Sequence, residues 1–308
     1  MSLGILLAFA SMITWGVGDF FIQRATRRLG NYVMIATIGL LGTIIFMPSI
    51  IAEFSVLADW HNLLFLIILG ATSIIHSLLI LQAFNVGKLS VVEVVAQIEL
   101  PVTIILSMII LKEYLSTSQT IIITLLLFGV ILTAFESFND WKNVERGVWI
   151  AALAGFFMGL DNFFTGFASR TITPMMAIAV PWVVFMIVAM IVLYYKEIRQ
   201  KNIKGIKNIK FIEENKSPVN QNLKKIYERF IGYRWIIFIG ASFNIAGWIF
   251  FTYAVKNSPI AIIAAIAEGY IVVALLLGII INKEQIRTHQ YIGAGLAIIC
   301  AILLSMTV

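Results

Sequence analysis

The 308 residues are 60% hydrophobic and only 12% charged, and their mean hydropathy of +0.97 lies outside the usual range of soluble globular chains. The net charge of +6 could suggest a nucleic-acid ligand, but the basic residues fall between apolar runs, where they orient a membrane protein. The single cysteine, Cys300, lies in an apolar run, which excludes a disulfide framework and a thiolate metal site. The composition therefore predicts an integral membrane protein.

Ten apolar runs are long enough to cross the bilayer, since a helix needs about 20 residues to span about 30 Å of hydrocarbon. In chain order the predicted spans are 3–22, 32–51, 62–84, 89–111, 119–136, 147–167, 175–195, 234–255, 259–281 and 290–307. Most connections between them are short, which favours a compact bundle of antiparallel neighbours. The predicted fold is all-α with ten transmembrane helices.

One long connection, residues 196–233, separates predicted spans 7 and 8. It contains ten Lys and Arg residues, and 19 of the 22 in the chain lie on its side of a ten-span topology. Positive charge marks the cytoplasmic side, so this loop is predicted to be cytoplasmic, with both termini outside the cell membrane. Its end, from Leu223 to Phe230, fits either a helix on an anionic membrane surface or a solvated linker.

The chain contains an internal repeat. GVGDFFIQRATR at 16–27 matches GLDNFFTGFASR at 159–170 with five identities, at an offset of 143 residues. Ala83–Glu113 then matches Ala254–Glu284 at an offset of 171, and both segments end in Lys-Glu. The difference of 28 residues equals the extra length of the long connection, so one loop insertion reconciles the two matches.

The repeat predicts two units of five helices each, residues 1–137 and 147–308. Because five is odd, the second unit enters the membrane in the opposite orientation, and the two form inverted repeats. Inverted repeats recur in secondary transporters, where they let a central cavity open to one side and then to the other.

Short motifs occur in the same order in both units. The first unit contains Trp15-Gly16, Lys112-Glu113, Gln119 and Gly129, while Lys283-Glu284 and Gln290 stand at the matching places of the second. This pattern resembles the drug/metabolite transporter (DMT) superfamily, specifically proteins with two EamA-like domains, and the resemblance covers nearly the whole chain. It implies a ten-helix fold with spans 3, 4, 8 and 9 around a central cavity. The implied activity is export or exchange of small metabolites.

Two acidic residues lie near the middle of predicted spans, where a charge costs about 2.5–3.5 kcal/mol on insertion scales. They are Glu99 in span 4 and Glu268 in span 9; the repeat pairs Gln97 with Glu268, and Glu99 with Tyr270. We expect these four residues to line a substrate or coupling cavity. A membrane carboxyl group suits proton coupling or cation binding. The alternative is a neutral, hydrogen-bonded carboxyl that joins two helices.

Further candidates flank these acids. His76 in span 3 is predicted to line the cavity or to be a hydrogen-bonded core residue. Trp182 could belong to an aromatic substrate pocket or pack at the lipid interface. Asp19 and Asn162 occupy equivalent places near the predicted ends of spans 1 and 6, where we expect them to satisfy helix ends or gate the cavity mouth.

Residues that shape helices form a last group. Pro101 and Pro181 each lack a backbone N–H, so we expect each to kink its helix, with a carbonyl freed toward a cavity as the functional alternative. Gly155 and Gly159 form a GxxxG pair that indicates close helix packing.

The sequence favours secondary transport of a small organic solute or metabolite, such as an amino acid or a drug-like compound, by alternating access. The motif GxxxxGK[ST] is absent, so a proton gradient or exchange rather than ATP is the expected drive. The three histidines are widely separated and neither HExxH nor GxSxG occurs, which argues against a membrane-embedded enzyme. A passive channel is the other alternative. The expected partners are the substrate, the bilayer and a proton, with no cofactor, metal or nucleic acid, in a monomer or a homodimer.

Overall fold

The structure is a computed structural model that describes residues 2–29, 31–86, 92, 95–134, 145–207, 218–283 and 287–307. Throughout these ranges the ordered elements are helices, and no strand occurs in them. The helices are α1 (Leu3–Leu29), α2 (Asn31–Ala52), α3 (Trp60–Val86), α4 (Glu99–Ile110), α5 (Thr117–Ala134), α6 (Glu145–Thr171), α7 (Met176–Lys207), α8 (Pro218–Lys256), α9 (Ile260–Ala267), α10 (Tyr270–Asn282) and α11 (Thr288–Ser305). The predicted all-α class is confirmed.

Seven stretches are long and apolar enough to cross a membrane. They are Leu3–Thr26, Met34–Ala52, Trp60–Ile80, Gly147–Thr171, Ile231–Lys256, Ile260–Ile281 and Thr288–Ser305. Three shorter apolar helices are Glu99–Ile110, Thr117–Thr133 and Met176–Val192. The chain is therefore a multi-pass membrane protein, since water-soluble chains do not contain so many apolar helices of this length.

Predicted spans 4 and 9 are not continuous helices, contrary to the sequence prediction. The first is interrupted by a turn at Gln97–Ile98, and the second by a turn at Glu268–Gly269. The repeat offset of 171 residues makes these two turns equivalent. A break inside the membrane leaves backbone and side-chain groups free to face a cavity rather than the helix's own hydrogen-bond ladder.

Pro101 contributes to the first break. Pro101 has no N–H to donate to the carbonyl of Gln97, four residues earlier, and the N–H of Leu100 lies 3.3 Å from that carbonyl oxygen instead. Pro101 therefore lies in the first turn of α4. Instead of the kink expected at Pro101, the helix is interrupted just before it. Pro181 lies inside α7, which continues as one helix beyond it.

The long basic connection also differs from the prediction. α7 continues to Lys207, and α8 begins at Pro218 and runs without interruption into its membrane-spanning part. The 39 residues of α8 correspond to a helix about 58 Å long. Residues 218–233 are therefore helical and continuous with the apolar part of α8, and 208–217 lie outside the described residues.

Most large helix contacts join the first half of the chain to the second, and they occur in pairs that correspond under the sequence repeat. α1 packs along α8 and α3 packs along α6; α4 contacts α6 and α10 contacts α1. Two further large contacts, between α5 and α11 and between α2 and α7, each join one helix to its own counterpart. Glycines permit the close approach of α5 and α11. A methyl group added at Gly129 would lie 2.8 Å from the carbonyl oxygen of Gly293, which leaves no room for a side chain.

The Lys-Glu motifs mark equivalent helix ends. Lys112 follows α4 with φ of 56°, and Lys283 ends α10 with φ of 55°. This left-handed conformation is uncommon outside glycine, and it closes helices by redirecting the chain. Glu284, the partner of Glu113 in the sequence repeat, lies outside the described residues. The motif thus has a structural role at both described positions.

The two motif glutamines begin the following helices. Gln119 Oε1 accepts a 2.9 Å hydrogen bond from the backbone N–H of Ser116, and Gln290 Oε1 accepts a 3.0 Å bond from that of Arg287. Their amide groups also reach the partner helix, because Gln290 Nε2 donates to the carbonyl of Thr133 at 3.0 Å. Each glutamine therefore caps its own helix, and the second also ties α11 to α5.

Candidate substrate cavity

A cavity of about 420 Å³ lies between α1, α2, α3, α6, α7 and α8 and beside both helix breaks. Its polar and ionisable lining side chains are those of Asp19, Ser73, His76, Ser77, Gln97, Glu99, Asp161, Thr165 and Asn244. Its aromatic lining side chains are those of Trp182, Phe185, Trp248 and Tyr270. Apolar walls with a few polar groups are typical of small-molecule sites, and the volume suits an organic solute.

Asp161 is the most deeply embedded of the three acids that line this cavity. It is 4% exposed on α6. Its Oδ1 accepts a 2.5 Å hydrogen bond from Ser73 Oγ, and Thr72 Oγ1 lies 3.3 Å away. Both hydroxyl groups belong to α3, so the packing of α3 on α6 fixes the position of the carboxyl group.

The sequence analysis did not single out Asp161. The repeat directed attention to its neighbour Asn162, which matches Asp19. The signal was nevertheless present, because Asp161 is an acid well inside an apolar run, the same criterion that identified Glu99 and Glu268.

Asp19 and Asn162 are not at helix ends, contrary to expectation, since α1 continues to Leu29 and α6 to Thr171. Asp19 lines the cavity, and Asn244 Nδ2 of α8 lies 3.5 Å from its Oδ1. Asn162 is 3% exposed and does not line the cavity. Among the described residues, its Oδ1 has no hydrogen-bond partner.

The carboxyl groups of Glu99 and Glu268 are neighbours at the two helix breaks. Glu99 begins α4 and lines the cavity, whereas Glu268 caps the end of α9 and lies behind the lining, 4% exposed. Two carboxylates this close repel each other, so a proton shared between them would stabilise the pair.

Gln97 and Tyr270 complete the region of the breaks. Gln97 lines the cavity and is 2% exposed, and its Oε1 has no partner among the described residues. Tyr270 begins α10, and its ring meets Trp15 edge-on at 6.3 Å between centroids. Trp15 also contacts Trp248 at 4.9 Å, so an aromatic cluster supports this wall.

Glycines of α6 and α1 bring the two breaks close to the neighbouring helices. A methyl group added at Gly159 would lie 2.6 Å from the carbonyl oxygen of Glu99, and one at Gly16 would lie 2.7 Å from that of Tyr270. Gly155 likewise faces the backbone of Ala96. The GxxxG pair thus lies where α6 meets the first helix break.

His76 and Trp182 both line the cavity. His76 Nδ1 lies 3.0 Å from the carbonyl oxygen of Ala154, and since a carbonyl only accepts, this nitrogen carries the proton. Trp182 of α7 contacts Phe185 at 6.2 Å between centroids. His76 therefore lines the cavity and is also hydrogen-bonded to a neighbouring helix. The two roles that the sequence suggested as alternatives occur together.

The structure brings most of the predicted site residues to this one cavity. Those that line it are Asp19, His76, Gln97, Glu99, Pro181, Trp182 and Tyr270. Three do not line it, and these are Pro101, Asn162 and Glu268.

A second polar assembly, which we call the Arg170 latch, joins the ends of α4, α6 and α8. Arg170 Nη1 donates a 2.6 Å hydrogen bond to Glu113 Oε1, and Nε donates a 2.7 Å bond to the carbonyl of Val255. Nη2 donates to the carbonyl of Ser258. The other Glu113 oxygen accepts a 2.9 Å bond from the N–H of Ile260, the first residue of α9.

A membrane-embedded helical bundle that encloses a cavity with carboxyl groups and aromatic rings has the features of a membrane transporter. The sequence model of the EamA-like transporter family matches residues 2–135 and 145–306. The chain therefore belongs to the EamA-like transporter family and is a membrane transporter of the drug/metabolite type. The family resemblance proposed from the sequence is confirmed, and the family favours a transporter over an enzyme or a passive channel.

Two relatives illustrate this similarity. An uncharacterized protein of Methanocaldococcus jannaschii is 28% identical over 139 residues, which are 44% of this chain and the whole of that protein. A protein of known crystal structure superposes with a TM-score of 0.72 over 99% of this chain and 96% of its own, at 13% identity. The second likeness shows that the fold as a whole occurs in a solved structure.

Proposed function

We propose that the protein is a secondary transporter that moves a small organic solute or metabolite across the cell membrane by alternating access. The observation that carries the proposal is the 420 Å³ cavity, which lies beside two helix breaks and is lined by buried polar groups. Broken helices at the centre of a membrane protein are typical of transporter binding sites, since they present polar groups to a solute without a water-filled pore.

The proposed architecture is two inverted repeats, residues 1–137 and 147–308, with five crossings each. Seven long spans and three shorter apolar helices supply ten crossings. Three local features that recur at the repeat offsets support the duplication: the helix breaks, the left-handed lysines and the glycine contacts to the break carbonyls. Since both units are in one chain, a monomer contains the whole cavity, and a homodimer is not needed to build it.

One difference between the packing of the two halves supports a form open at one end. α3 packs extensively on α7, whereas the equivalent pair, α8 and α2, meets only sparsely. With ten crossings, the Arg170 latch lies at the end opposite to the basic stretch 196–233. The outer lining residues Ile22, Ile35 and Ile80 lie toward the basic end. We propose that this basic end is cytoplasmic and that the cavity faces it.

Proton coupling is the proposed drive. The carboxyl groups of Glu99 and Glu268 are neighbours at the two helix breaks, where one shared proton would relieve their repulsion, and Glu99 lines the cavity. Asp161, Asp19 and His76 are the other titratable groups of the cavity lining. Release of the shared proton would leave a second carboxylate in a poorly solvated place, so proton loss and solute binding are expected to be linked.

Reconstitution in proteoliposomes tests the proposal. The purified chain should take up one or more radiolabelled metabolites from a panel in a saturable manner, and unlabelled solute inside the vesicles should accelerate that uptake. Counterflow of this kind requires a site that faces one side at a time, so a linear, non-saturable flux would contradict a carrier. Product formation from a panel member would instead favour an enzyme.

A further inference from the structure

We infer that the cavity binds an organic cation, a protonated amine with an apolar or aromatic body, and that Asp161 is its counter-ion. This inference rests on the proposed function, because it names the substrate class of the same cavity. It depends on the charges, the hydrogen-bonding polarity and the rings of the described lining residues.

The charge of the lining is one-sided. Asp19, Glu99 and Asp161 all line the cavity, while none of its described lining residues is lysine or arginine. Hydroxyl groups from α3 already hold Asp161 in place, yet hydroxyls are neutral and leave its charge uncompensated. A carboxyl group so deeply buried is stabilised either by a proton or by a positive partner, and a bound ammonium group would be such a partner.

The unpaired polar atom of the lining is also an acceptor. Gln97 is 2% exposed, and its Oε1 has no hydrogen-bond partner among the described residues. His76 uses Nδ1 to donate to the carbonyl of Ala154, which leaves Nε2 of the neutral ring as an acceptor. A ligand that donates several hydrogen bonds, as an ammonium group does, can be held by these two acceptors.

The aromatic walls favour the same ligand. Trp182, Trp248 and Tyr270 line the cavity, and the ring face of tryptophan or tyrosine attracts a cation within about 6 Å. The same rings offer apolar area to the body of the ligand. Carboxyl groups for the charge and rings for the body therefore occur together in one cavity.

A matched probe series tests the inference with the full-length chain. 2-Phenylethylammonium, 2-phenylethanol and 3-phenylpropanoate share one ring and differ in charge, and quenching of tryptophan fluorescence can report their binding. We expect the ammonium probe to bind roughly tenfold or more tightly than the alcohol, with the propanoate weakest, because a hydrogen bond to a charged group is worth about 1.5–3 kcal/mol. Equal or tighter binding of the alcohol or the propanoate, or no binding of the ammonium probe, would overturn the inference.

The variant Asp161→Asn tests the counter-ion itself. Asparagine keeps an oxygen that can accept from Ser73 but loses the charge, so affinity for the ammonium probe should fall about tenfold while affinity for the alcohol stays within about twofold. An equal loss for both probes would show that Asp161 only supports packing, and would overturn its assigned role. Asp59→Asn is the control, because Asp59 is an exposed acid beyond the cavity, and both affinities should stay unchanged.

The outcomes separate this inference from the proposed function. If a neutral or anionic metabolite shows counterflow while the ammonium probe does not bind, transport stands and the cationic class is wrong. If the ammonium probe binds with the expected charge preference while no solute is transported, the site stands and the proposed function is wrong.

Discussion

Arg170 and Glu113 form a 2.6 Å ion pair that joins the end of α6 to the segment after α4. The two side chains are 21% and 14% exposed, so the pair is largely shielded from water. Because Glu113 also accepts from the first N–H of α9, this one carboxylate connects three parts of the bundle. If this end of the bundle opens during transport, these contacts must break.

The variant Glu113→Gln should loosen that end. It removes the charge that Arg170 faces but keeps an oxygen for the N–H of Ile260, and the loss of such a charged hydrogen bond costs about 1.5–3 kcal/mol. The form open at the latch end should become roughly tenfold or more populated. Labelling of a Ser258→Cys probe by a membrane-impermeant maleimide, in a Cys300→Ala background, should accelerate accordingly, since Ser258 is now 7% exposed.

A probe at an exposed position controls for general effects on the thiol reaction. Ser116→Cys lies on the same connection as Glu113 and is exposed in this structure, so its labelling rate should not change with Glu113→Gln. Unchanged labelling at Ser258→Cys would mean that the latch does not hold this end closed.

Two glycine variants of α11 test the close contact between α5 and α11. A methyl group at Gly293 would lie 2.6 Å from the carbonyl oxygen of Gly129, whereas one at Gly295 would meet nothing within 4 Å. Gly293→Ala should therefore lower the free energy of unfolding by about 1–3 kcal/mol through overpacking. Gly295→Ala should raise it by up to about 1 kcal/mol, because alanine is the better helix former. Thermal unfolding in detergent measures both, and equal effects would refute the contact.

The left-handed backbone of Lys283 predicts that glycine at this position stabilises the protein. Lys283 has φ of 55°, which costs a side-chain-bearing residue about 1–2 kcal/mol, while glycine adopts it freely at a loss of about 0.5–1 kcal/mol in unfolded-state entropy. Lys283→Gly should thus raise the free energy of unfolding by roughly 0.5–1 kcal/mol. Lys283→Ala keeps the strain and removes the same charge, so it should bring no gain. An equal gain from alanine would assign the effect to charge.

The helices themselves were largely predictable, because a continuous apolar run of about 20 residues is long enough to cross the bilayer and too apolar for a water-exposed surface. The two breaks were not. Pro101 indicated a disturbance in the first, but the turn falls before it at Gln97–Ile98, where neither residue favours a turn. In the second, Gly269 is a weak signal among the 21 glycines of the chain. A break depends on what packs against it, and composition does not contain that information.

Site residues were predictable from the sequence where a polar residue type is rare in its surroundings. Glu99 and Gln97 were found because polar groups in the hydrocarbon are uncommon. Asp161 met the same criterion but was overlooked beside the repeat match of Asn162. The pairing of Arg170 with Glu113 could not be derived, since it joins positions 57 residues apart through tertiary packing alone. Residue type therefore indicates candidates, and only the fold selects their partners.

Proton coupling predicts the behaviour of Glu268→Gln. Glutamine fills the same space and can hydrogen bond to Glu99, but it cannot release a proton, so a pH gradient should no longer drive solute accumulation. Exchange of labelled for unlabelled solute needs no net proton movement and should stay largely intact. Uptake with and without a pH gradient, measured beside counterflow in the same proteoliposomes, separates the two activities.

Asp59→Asn provides the control for that experiment. Hydrogen bonds from the backbone N–H and ring of His61 lower the pKa of the exposed Asp59 carboxyl, so this group is ionised across the pH range of transport assays. Its removal should alter neither activity. If Glu268→Gln keeps the pH dependence of the parent chain, the shared proton is not the coupling ion; if it abolishes exchange as well, Glu268 serves the structure of the second helix break instead. Loss of gradient-driven uptake with exchange retained is the single result that coupling through this carboxyl pair predicts.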